Sequence, residues 1–213
     1  MEAKLYCVHP NAKIGENVEI GNFTTIHEDV EIGDNTIIGS NVTIFPGARI
    51  GKNVTIFPGA VVSGMPQDLK YRGEKTYAYV GDNTVIRECV TIHRGTASRG
   101  KTVVGSNCLI MAYSHVAHDC ILGNNIILSN AVQLAGEVEI DDYAVIGGGS
   151  LVHQFTRIGK HIMIQGGSLV NKDIPHYVKA ARNPISFVGL NTVGLHRRGF
   201  TQEQITTIQD TYR

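Results

Sequence analysis

The chain has 213 residues, enough to bury a sizeable core in one domain or in one domain with an appendage. Its 19 Lys and Arg balance its 19 Asp and Glu, so no overall field attracts nucleic acid or an anionic membrane. The first residues carry no basic start followed by an apolar run, and no stretch reaches the length of a membrane span. We therefore expect neither a targeting sequence nor membrane insertion.

The cysteines indicate the cellular compartment, and the glycines indicate how often the backbone turns. The four cysteines form no CxxC pair, and Cys108 and Cys120 fall at small-residue positions of the repeat described next. A buried free cysteine packs as a small apolar group. The sequence therefore predicts a reduced, cytoplasmic protein. The 24 glycines occur without low complexity and indicate many tight corners.

A period of six residues runs through most of the chain. An aliphatic residue occupies 24 steps of this period, and a small or β-branched residue stands two positions before each. A helix would need apolar residues every three or four positions, whereas alternation within each hexad fits short strands. The aliphatic steps are Ile14, Ile20, Ile26, Ile32, Ile38, Ile44, Ile50, Ile56, Val62, Val80, Ile86, Ile92, Val104, Ile110, Val116, Leu122, Leu128, Leu134, Ile140, Ile146, Val152, Ile158, Ile164 and Val170.

This hexapeptide period predicts an all-β solenoid, a parallel β-helix with three hexads per turn and the aliphatic residues in its core. Gly, Asn and Asp between the strands are expected to supply the corners that need positive φ. A β-sandwich with coincidental spacing is the alternative, and the length of the run disfavours it. The pattern does not show the hand of the coil, for which parallel crossovers are usually right-handed.

The β-helix is predicted over residues 1–183, with two interruptions. Residues 63–79 (SGMPQDLKYRGEKTYAY) replace one hexad step, and residues 94–103 (RGTASRGKTV) replace another. Repeat scaffolds commonly carry their functional residues on such excursions.

Residues 184–213 are predicted to begin a C-terminal helical domain. The segment SFVGLNTVGLHRRG is predicted to be a helix with Gly199 at its C′ position. Thr201 and Gln204 have the spacing of a capping box for a second helix. That helix barely starts before the last residue, so we expect the C-terminal part to be truncated.

Stacking of the coils gathers polar side chains at one edge. Residues 18 apart lie above one another, roughly 4.8 Å apart. This places His118, Gly136 and Gln154 in one column. The neighbouring column holds Ala117, Ala135 and His153, with His93 beneath Ala117 if the second excursion adds six residues, and His115 shares the coil of His118.

Three interpretations of this group remain open. Solenoid corners can contain histidines by chance. Histidine is also the commonest metal ligand, as in the hexapeptide-repeat carbonic anhydrases of the γ class, which bind zinc between subunits. Their paired ligands are spaced His-x4-His, whereas this chain has His115-x2-His118. The third interpretation is general base catalysis of acyl transfer, in which His118 activates an acceptor hydroxyl.

Six segments resemble diagnostic stretches of the UDP-N-acetylglucosamine O-acyltransferases: QDLKY (67–71), TIHRGT (91–96), HVAHDC (115–120), LAG (134–136), VHQF (152–155) and LHRRGF (195–200). The resemblance covers nearly the whole chain, in order. It implies a left-handed coil and transfer of an (R)-3-hydroxyacyl chain from acyl carrier protein to the glucosamine 3-hydroxyl, the first step of lipid A biosynthesis. It also implies a homotrimer with sites between adjacent β-helices, and no cofactor or metal beyond the phosphopantetheine thioester of the donor.

The resemblance assigns the catalytic roles to three residues. His118 would be the general base, a role that contributes roughly 10²–10⁴-fold. Asp119 would orient its imidazole, although neighbours on a strand point to opposite faces, so contact requires corner geometry, and a turn role for Asp119 is the alternative. Gly136 would donate its N–H to the oxyanion, which is typically worth about 10²–10³ in rate.

The substrate contacts are carried over in the same way. Asp68 and Lys70 match groups that bind the sugar and its phosphate side, with an exposed salt bridge as the alternative. His93, His115, His153 and Gln154 match the cleft.

The remaining matches concern the nucleotide and the acyl chain. Arg197 and Arg198 match a basic pair near the diphosphate, although a cationic last helical turn is also ordinary dipole complementation. Asn191 matches a nucleotide contact. Gly166 matches the position where side-chain size limits acyl length, and glycine there leaves room for a long chain.

Two residues differ from the family pattern, and three alternative functions remain. Glu137 stands where many members have His, and Val193 where many have Glu. The N-acyltransferase of the same pathway carries an added N-terminal domain, for which hexads that begin by Ile14 leave no room. A γ-class carbonic anhydrase would bind zinc, and a non-catalytic scaffold would show neither metal nor turnover.

Overall fold

The computed structural model describes residues 5–212 as a triangular prism of three parallel sheets, whose strands are numbered in chain order. Sheet 1 contains β1 (Cys7–Val8), β4 (Thr25–Ile26), β7 (Thr43–Ile44), β10 (Val61–Gly64), β13 (Thr91–His93), β16 (His115–Val116), β19 (Gln133–Leu134), β22 (Leu151–Val152) and β25 (Leu169–Val170). Sheet 2 contains β2 (Lys13–Ile14), β5 (Glu31–Ile32), β8 (Ala48–Ile50), β11 (Tyr77–Val80), β14 (Lys101–Val104), β17 (Ile121–Leu122), β20 (Glu139–Ile140) and β23 (Arg157–Ile158). Sheet 3 contains β3 (Glu19–Ile20), β6 (Ile37–Ile38), β9 (Thr55–Ile56), β12 (Val85–Ile86), β15 (Leu109–Ile110), β18 (Ile127–Leu128), β21 (Val145–Ile146), β24 (Met163–Ile164), β26 (Val178–Ala181) and β27 (Ser186–Leu190).

The predicted aliphatic positions form the core. From Ile26 to Val170 each of them is at most 4% exposed, and the two at the N-terminal end, Ile14 and Ile20, are partly buried. Most strands have two residues, of which the first points outward and the second, aliphatic one points into the prism. The small or β-branched residue two positions earlier is buried beside it from Thr24 onward. The aliphatic residues of successive coils stack on one another inside the prism, as the predicted solenoid requires.

The chain turns at three corners, which we call the first (sheet 1 to sheet 2), second (sheet 2 to sheet 3) and third (sheet 3 to sheet 1). Most corners contain one residue with positive φ, such as Asn53 (54°) at the second corner. Glycines that directly follow the aliphatic position have another purpose. A Cβ on Gly33 would lie 2.6 Å from the backbone of Gly51, so stacking of coils requires these glycines.

Both excursions leave the first corner. The first runs from Met65 to Thr76 between β10 and β11, and the second runs from Arg94 to Gly100 between β13 and β14. They are slightly shorter than predicted because the flanking strands extend into them. The strands before and after the second excursion pair residues 24 apart, Thr91 with His115, instead of 18 apart. The second excursion therefore adds six residues to one coil, as predicted.

The C-terminal segment corrects one prediction. Residues 186–199 are not one helix: β27 pairs antiparallel with β26, and only α1 (Thr192–Arg197) is helical, with Gly199 at φ +83° after its C-cap. α2 (Gln202–Thr211) has the predicted capping box between Thr201 and Gln204 and spans 10 residues. Neither helix is long and apolar enough to cross a membrane.

Candidate active site

The first corner carries the histidine group predicted from the stacking. The backbone N–H of Glu137 donates to the His118 carbonyl at 3.0 Å, and the N–H of Phe155 donates to the Gly136 carbonyl at 3.1 Å. His118, Gly136 and Gln154 therefore occupy successive coils in one column, as the 18-residue spacing predicts.

His118 and Asp119 form a hydrogen-bonded pair. His118 Nδ1 lies 2.9 Å from Asp119 Oδ2, and the His118 side chain is 17% exposed. An ionised carboxylate only accepts hydrogen bonds, so Nδ1 carries the proton and Nε2 presents its lone pair. Asp119 has φ +61°, and this left-handed corner turns two sequence neighbours toward one another. The corner geometry required for their contact is thus present.

The second excursion supplies hydrogen-bond donors to the Asp119 carboxylate, which is completely buried. The Thr96 N–H lies 3.0 and 3.1 Å from its two oxygens, and the Thr96 hydroxyl donates at 2.7 Å. The Arg99 N–H donates at 3.1 Å. Four donor groups, including the His118 imidazole, therefore offset the cost of burying this carboxylate.

Gly136 lies against the imidazole of His118. A Cβ at position 136 would lie 2.6 Å from His118 Cε1 and 2.7 Å from Nε2, so only glycine leaves the ring in place. Within residues 5–212 the Gly136 N–H makes no hydrogen bond. The column therefore combines a basic nitrogen with an unpaired backbone donor one coil away.

Two further histidines pack beneath the pair. His115 Nδ1 lies 2.7 Å from Thr91 Oγ1, and the rings of His93 and His115 meet edge to face at 4.7 Å. Burial lowers the pKa of His93 to about 4, and the nearby charges of His115 and His118 add to the effect. Burial likewise lowers the pKa of His115. Both rings are therefore neutral and polar at physiological pH.

A groove runs between this corner and the first excursion. Its two lobes have volumes of about 410 and 480 Å³, within the range of small-molecule sites. Both lobes are lined by Gln67, His118, Gly136 and Gln154. One lobe also contains His115, and the other contains Asp68, Lys70 and Glu137.

The other predicted residues lie away from this groove. Gly166 is at the third corner, where a Cβ would approach the carbonyl of Gly148 at 3.0 Å. His153 is exposed, and its Nδ1 lies 3.1 Å from the Gln154 carbonyl. It does not line either lobe.

Asn191 and Arg198 pack at the second corner, and Arg197 is exposed beside them. The side chain of Asn191 caps α1 and donates to the His161 carbonyl at 3.0 Å. The guanidinium of Arg198 lies 5.2 Å from the centre of the Tyr143 ring. Within one chain, the predicted substrate contacts are thus distributed over all three corners.

The two departures have different surroundings. Glu137 lies at the groove with φ +61°, and its carboxylate is 3.7 Å from the Arg99 guanidinium, which also pairs with Glu139 at 2.6 Å. Val193 is exposed on α1. The Glu137 charge is thus partly balanced by a residue of the second excursion.

Thr96, Arg99 and Gln67 were not among the predicted site residues. Two of the three groups that Thr96 and Arg99 donate to Asp119 are backbone N–H groups, which no side-chain type reveals. The available signal was that a buried carboxylate needs several donors and that an excursion leaves the same corner one coil away. Among residues 5–212, no group of three or more His, Cys, Asp or Glu side chains is arranged to hold a metal ion.

Comparisons with known proteins identify the repeat and the C-terminal region. The family model described as bacterial transferase hexapeptide (six repeats) matches residues 11–46 and 101–136. The model described as UDP-N-acetylglucosamine O-acyltransferase, domain 2, matches residues 173–213. The second match covers β26, β27 and both helices.

Individual relatives extend the match. An acyl-[acyl-carrier-protein]–UDP-N-acetylglucosamine O-acyltransferase of Burkholderia orbicola is 50% identical over 153 residues, which span 71% of this chain and 58% of that protein. The chain thus matches less than two thirds of the length of that curated relative. The crystal structure of a UDP-N-acetylglucosamine acyltransferase from Bacteroides fragilis superposes with a TM-score of 0.98 at 52% identity, covering 100% of this chain and 84% of that one. The crystal structure of the Francisella novicida UDP-N-acetylglucosamine acyltransferase superposes with a TM-score of 0.97 at 46% identity, covering 100% of this chain and 78% of that one.

These matches confirm the left-handed parallel β-helix implied by the resemblance. Identity of about half the residues, over all of this chain and most of a solved relative, is specific to one family within the hexapeptide-repeat proteins. The chain therefore belongs to the UDP-N-acetylglucosamine O-acyltransferase family.

Proposed function

We propose that this protein transfers an (R)-3-hydroxyacyl chain from acyl carrier protein to the 3-hydroxyl of UDP-N-acetylglucosamine, the first step of lipid A biosynthesis. The observation that carries the proposal is the His118–Asp119 pair with the unpaired Gly136 N–H against it. The names of the relatives support both substrates. The substrate and the free cysteines agree with a cytoplasmic location.

In the proposed mechanism, His118 Nε2 removes the proton of the sugar 3-hydroxyl as the oxygen attacks the thioester carbon. Asp119 holds the Nδ1–H and stabilises the imidazolium that forms. The Gly136 N–H donates to the oxyanion, and collapse breaks the carbon–sulfur bond as His118 returns its proton to the leaving thiolate. The reaction needs no redox step, and no cofactor besides the donor's phosphopantetheine is proposed.

The groove offers groups suited to the acceptor. Asp68 and Lys70 lie on the first excursion beside His118, where the carboxylate can accept from sugar hydroxyls and the ammonium can pair with a phosphate. The neutral rings of His93 and His115 bring hydrogen-bonding groups without adding positive charge beside the base. Gln154 lines both lobes, and His153 is assigned to the same cleft when a second subunit covers it.

The proposed homotrimer would complete the site. Asn191, Arg197 and Arg198 lie at the second corner and Gly166 at the third, so one chain cannot bring them to the groove of its first corner. A neighbouring copy could supply them, with Gly166 leaving room for a long acyl chain.

The outer surface of the prism supports association. Sheet 3 presents a row of partly exposed apolar side chains: Val85, Leu109, Ile127, Val145 and Met163. Sheet 2 instead carries charged pairs at both ends, such as Lys13 with Glu31 at 2.8 Å. An apolar face of this kind is typical of a subunit contact. A stable monomer with full activity in sedimentation would contradict the trimer.

The test is release of free thiol from acyl carrier protein, measured with and without UDP-N-acetylglucosamine, for the parent chain and His118→Ala. We expect turnover that requires the nucleotide and falls at least about a hundredfold in the variant. His27→Ala is the matched control, because His27 stacks on Phe45 at 4.9 Å in the same corner, away from the groove.

Absence of turnover from a chain carrying the full family length would contradict acyl transfer to this acceptor. Metal analysis of the purified protein would then test the hypothesis that it is a zinc-binding carbonic anhydrase of the γ class. Turnover with an amino-sugar nucleotide alone would indicate the N-acyltransferase reaction instead.

A further inference from the structure

The second excursion folds around the buried carboxylate of Asp119. Asp119 is 0% exposed and Thr96 is 5% exposed, so water does not compete for their hydrogen bonds. The Thr96 hydroxyl donates to Asp119 Oδ2 at 2.7 Å, and this same oxygen lies 2.9 Å from His118 Nδ1. The hydroxyl and the imidazole therefore meet on a single oxygen.

The direction of the Thr96 hydroxyl is set by its second contact. Thr96 Oγ1 accepts the backbone N–H of Ser98 at 3.2 Å, which leaves its own hydrogen to point at Asp119. The turn is tied to the first excursion, because the Ala97 N–H donates to Glu74 Oε1 at 3.0 Å. These contacts hold the hydroxyl in one orientation with little remaining rotamer freedom.

A carboxylate held by fewer donors can tilt about its Cβ–Cγ bond, which moves the accepting oxygen out of line with the imidazole N–H. The backbone N–H of Thr96 lies within hydrogen-bond distance of both oxygens, so it anchors the group but leaves its tilt to the other donors. The hydroxyl contacts Oδ2 alone, and the Arg99 N–H contacts Oδ1 alone. Together these two donors, one on each oxygen, fix the plane of the carboxylate and so the direction of its hydrogen bond with His118.

We propose that Thr96 is a positioning residue for the His118–Asp119 pair, acting through its side-chain hydroxyl on Asp119 Oδ2. This inference rests on the proposed acyl transfer and adds to it a residue that never touches substrate. Loss of the hydroxyl leaves the carboxylate in place but lets it turn, so the imidazole spends less time aligned with the acceptor. Without the hydroxyl, the rate of the chemical step should fall while the affinity for the substrate stays the same.

The experiment compares Thr96→Val, Thr96→Ser and the parent chain in steady-state acyl transfer. We expect Thr96→Val to lower kcat about tenfold or more, the scale of one hydrogen bond to a charged group, with KM for the sugar nucleotide within about twofold. Thr96→Ser keeps the hydroxyl and should restore most of kcat. Thr76→Val is the matched control: Thr76 is 4% exposed on the first excursion, and its hydroxyl has no hydrogen-bond partner among the described residues.

A double-mutant cycle separates positioning from general loosening of the loop. In an Asp119→Ala background, Thr96→Val should have no further effect on kcat, because the carboxylate it orients is gone. Equal losses in both backgrounds, or a parent-like kcat in Thr96→Val, would overturn the inference while acyl transfer itself stands. An inactive parent enzyme would instead contradict the proposed function, so the two failures are distinguishable. Thermal unfolding of each variant identifies any that fails to fold.

Discussion

The first and second corners of the prism share one backbone conformation and differ in chemistry. Asp119 at the first corner has φ +61°, and Asn125 at the second has φ +57°. The second corner keeps its carboxylates near water: Asp142 is partly exposed and accepts the Asn124 N–H at 2.6 Å. At the first corner Asp119 is fully buried and accepts four donor groups.

The difference shows that the turn itself carries no function. Each corner residue with positive φ serves to turn the chain from one sheet to the next. An excursion of seven residues over one corner gives such a residue a buried carboxylate beside a histidine. Burial strengthens every electrostatic contact made there and makes any unpaired group costly. The repeat thus supplies positions, and the excursion supplies the environment.

The same substitution at both corners tests this difference most directly. Asp119→Asn should lower kcat by on the order of 10²-fold, because the amide can no longer hold the Nδ1–H tautomer of His118 as a carboxylate does. Asp142→Asn should change kcat by less than about twofold, since an amide oxygen still accepts the Asn124 N–H. Steady-state kinetics of both variants decide the matter. Similar effects at the two corners would contradict a special role for the buried carboxylate.

Acid should destabilise the first corner through His93. Its pKa is lowered from 6.5 to about 4 by burial, so between these values the unfolded chain binds a proton that the folded chain excludes. Stability should therefore fall as pH decreases from 6.5 to 4 and level off for this group below that. Chemical unfolding at several pH values measures the slope.

The variant His93→Asn should reduce that slope, since the titrating ring is removed. His153→Asn is the control, because that side chain is exposed at the same corner. A slope unchanged by His93→Asn would mean that other groups, such as His115, account for the acid sensitivity.

The smallest expected effect concerns Asn191 at the second corner. Its side chain caps α1 and ties it to the His161 carbonyl, so Asn191→Ala should cost about 1 kcal/mol of unfolding free energy. A nucleotide contact would appear as a raised KM at unchanged stability. Thermal unfolding and KM measured on one preparation distinguish a structural from a substrate-binding role.

The sequence predicted most of the architecture because the hexad is local and repeated. One aliphatic residue every six positions determined the core, and the 18-residue spacing determined that His118, Gly136 and Gln154 share a column. The shift of 24 residues also brought His93 to the level of Ala117, as Thr91 pairs with His115. Periodicity suffices there because each coil contacts only its neighbours.

The prediction was wrong at 186–190, where a helix was expected and β27 is found. The segment pairs with β26, whose free edge exists only after the last coil has formed. Local propensity carries no information about such an edge, and a tertiary partner overrides it. The prediction for Gly199, by contrast, was correct, because a helix C′ position is set by the residues immediately before it.

The periodicity of the sequence therefore predicted the coil, its core, the two excursions and the column of His118, Gly136 and Gln154. Only the tertiary structure decided that Asp119 is buried, that Thr96 and Arg99 donate to it, and that His93 is held neutral. The physical reason is that burial and backbone hydrogen bonding belong to the assembled corner. Residue types at fixed spacing indicate which groups meet, whereas the surrounding chain determines their charge state and orientation.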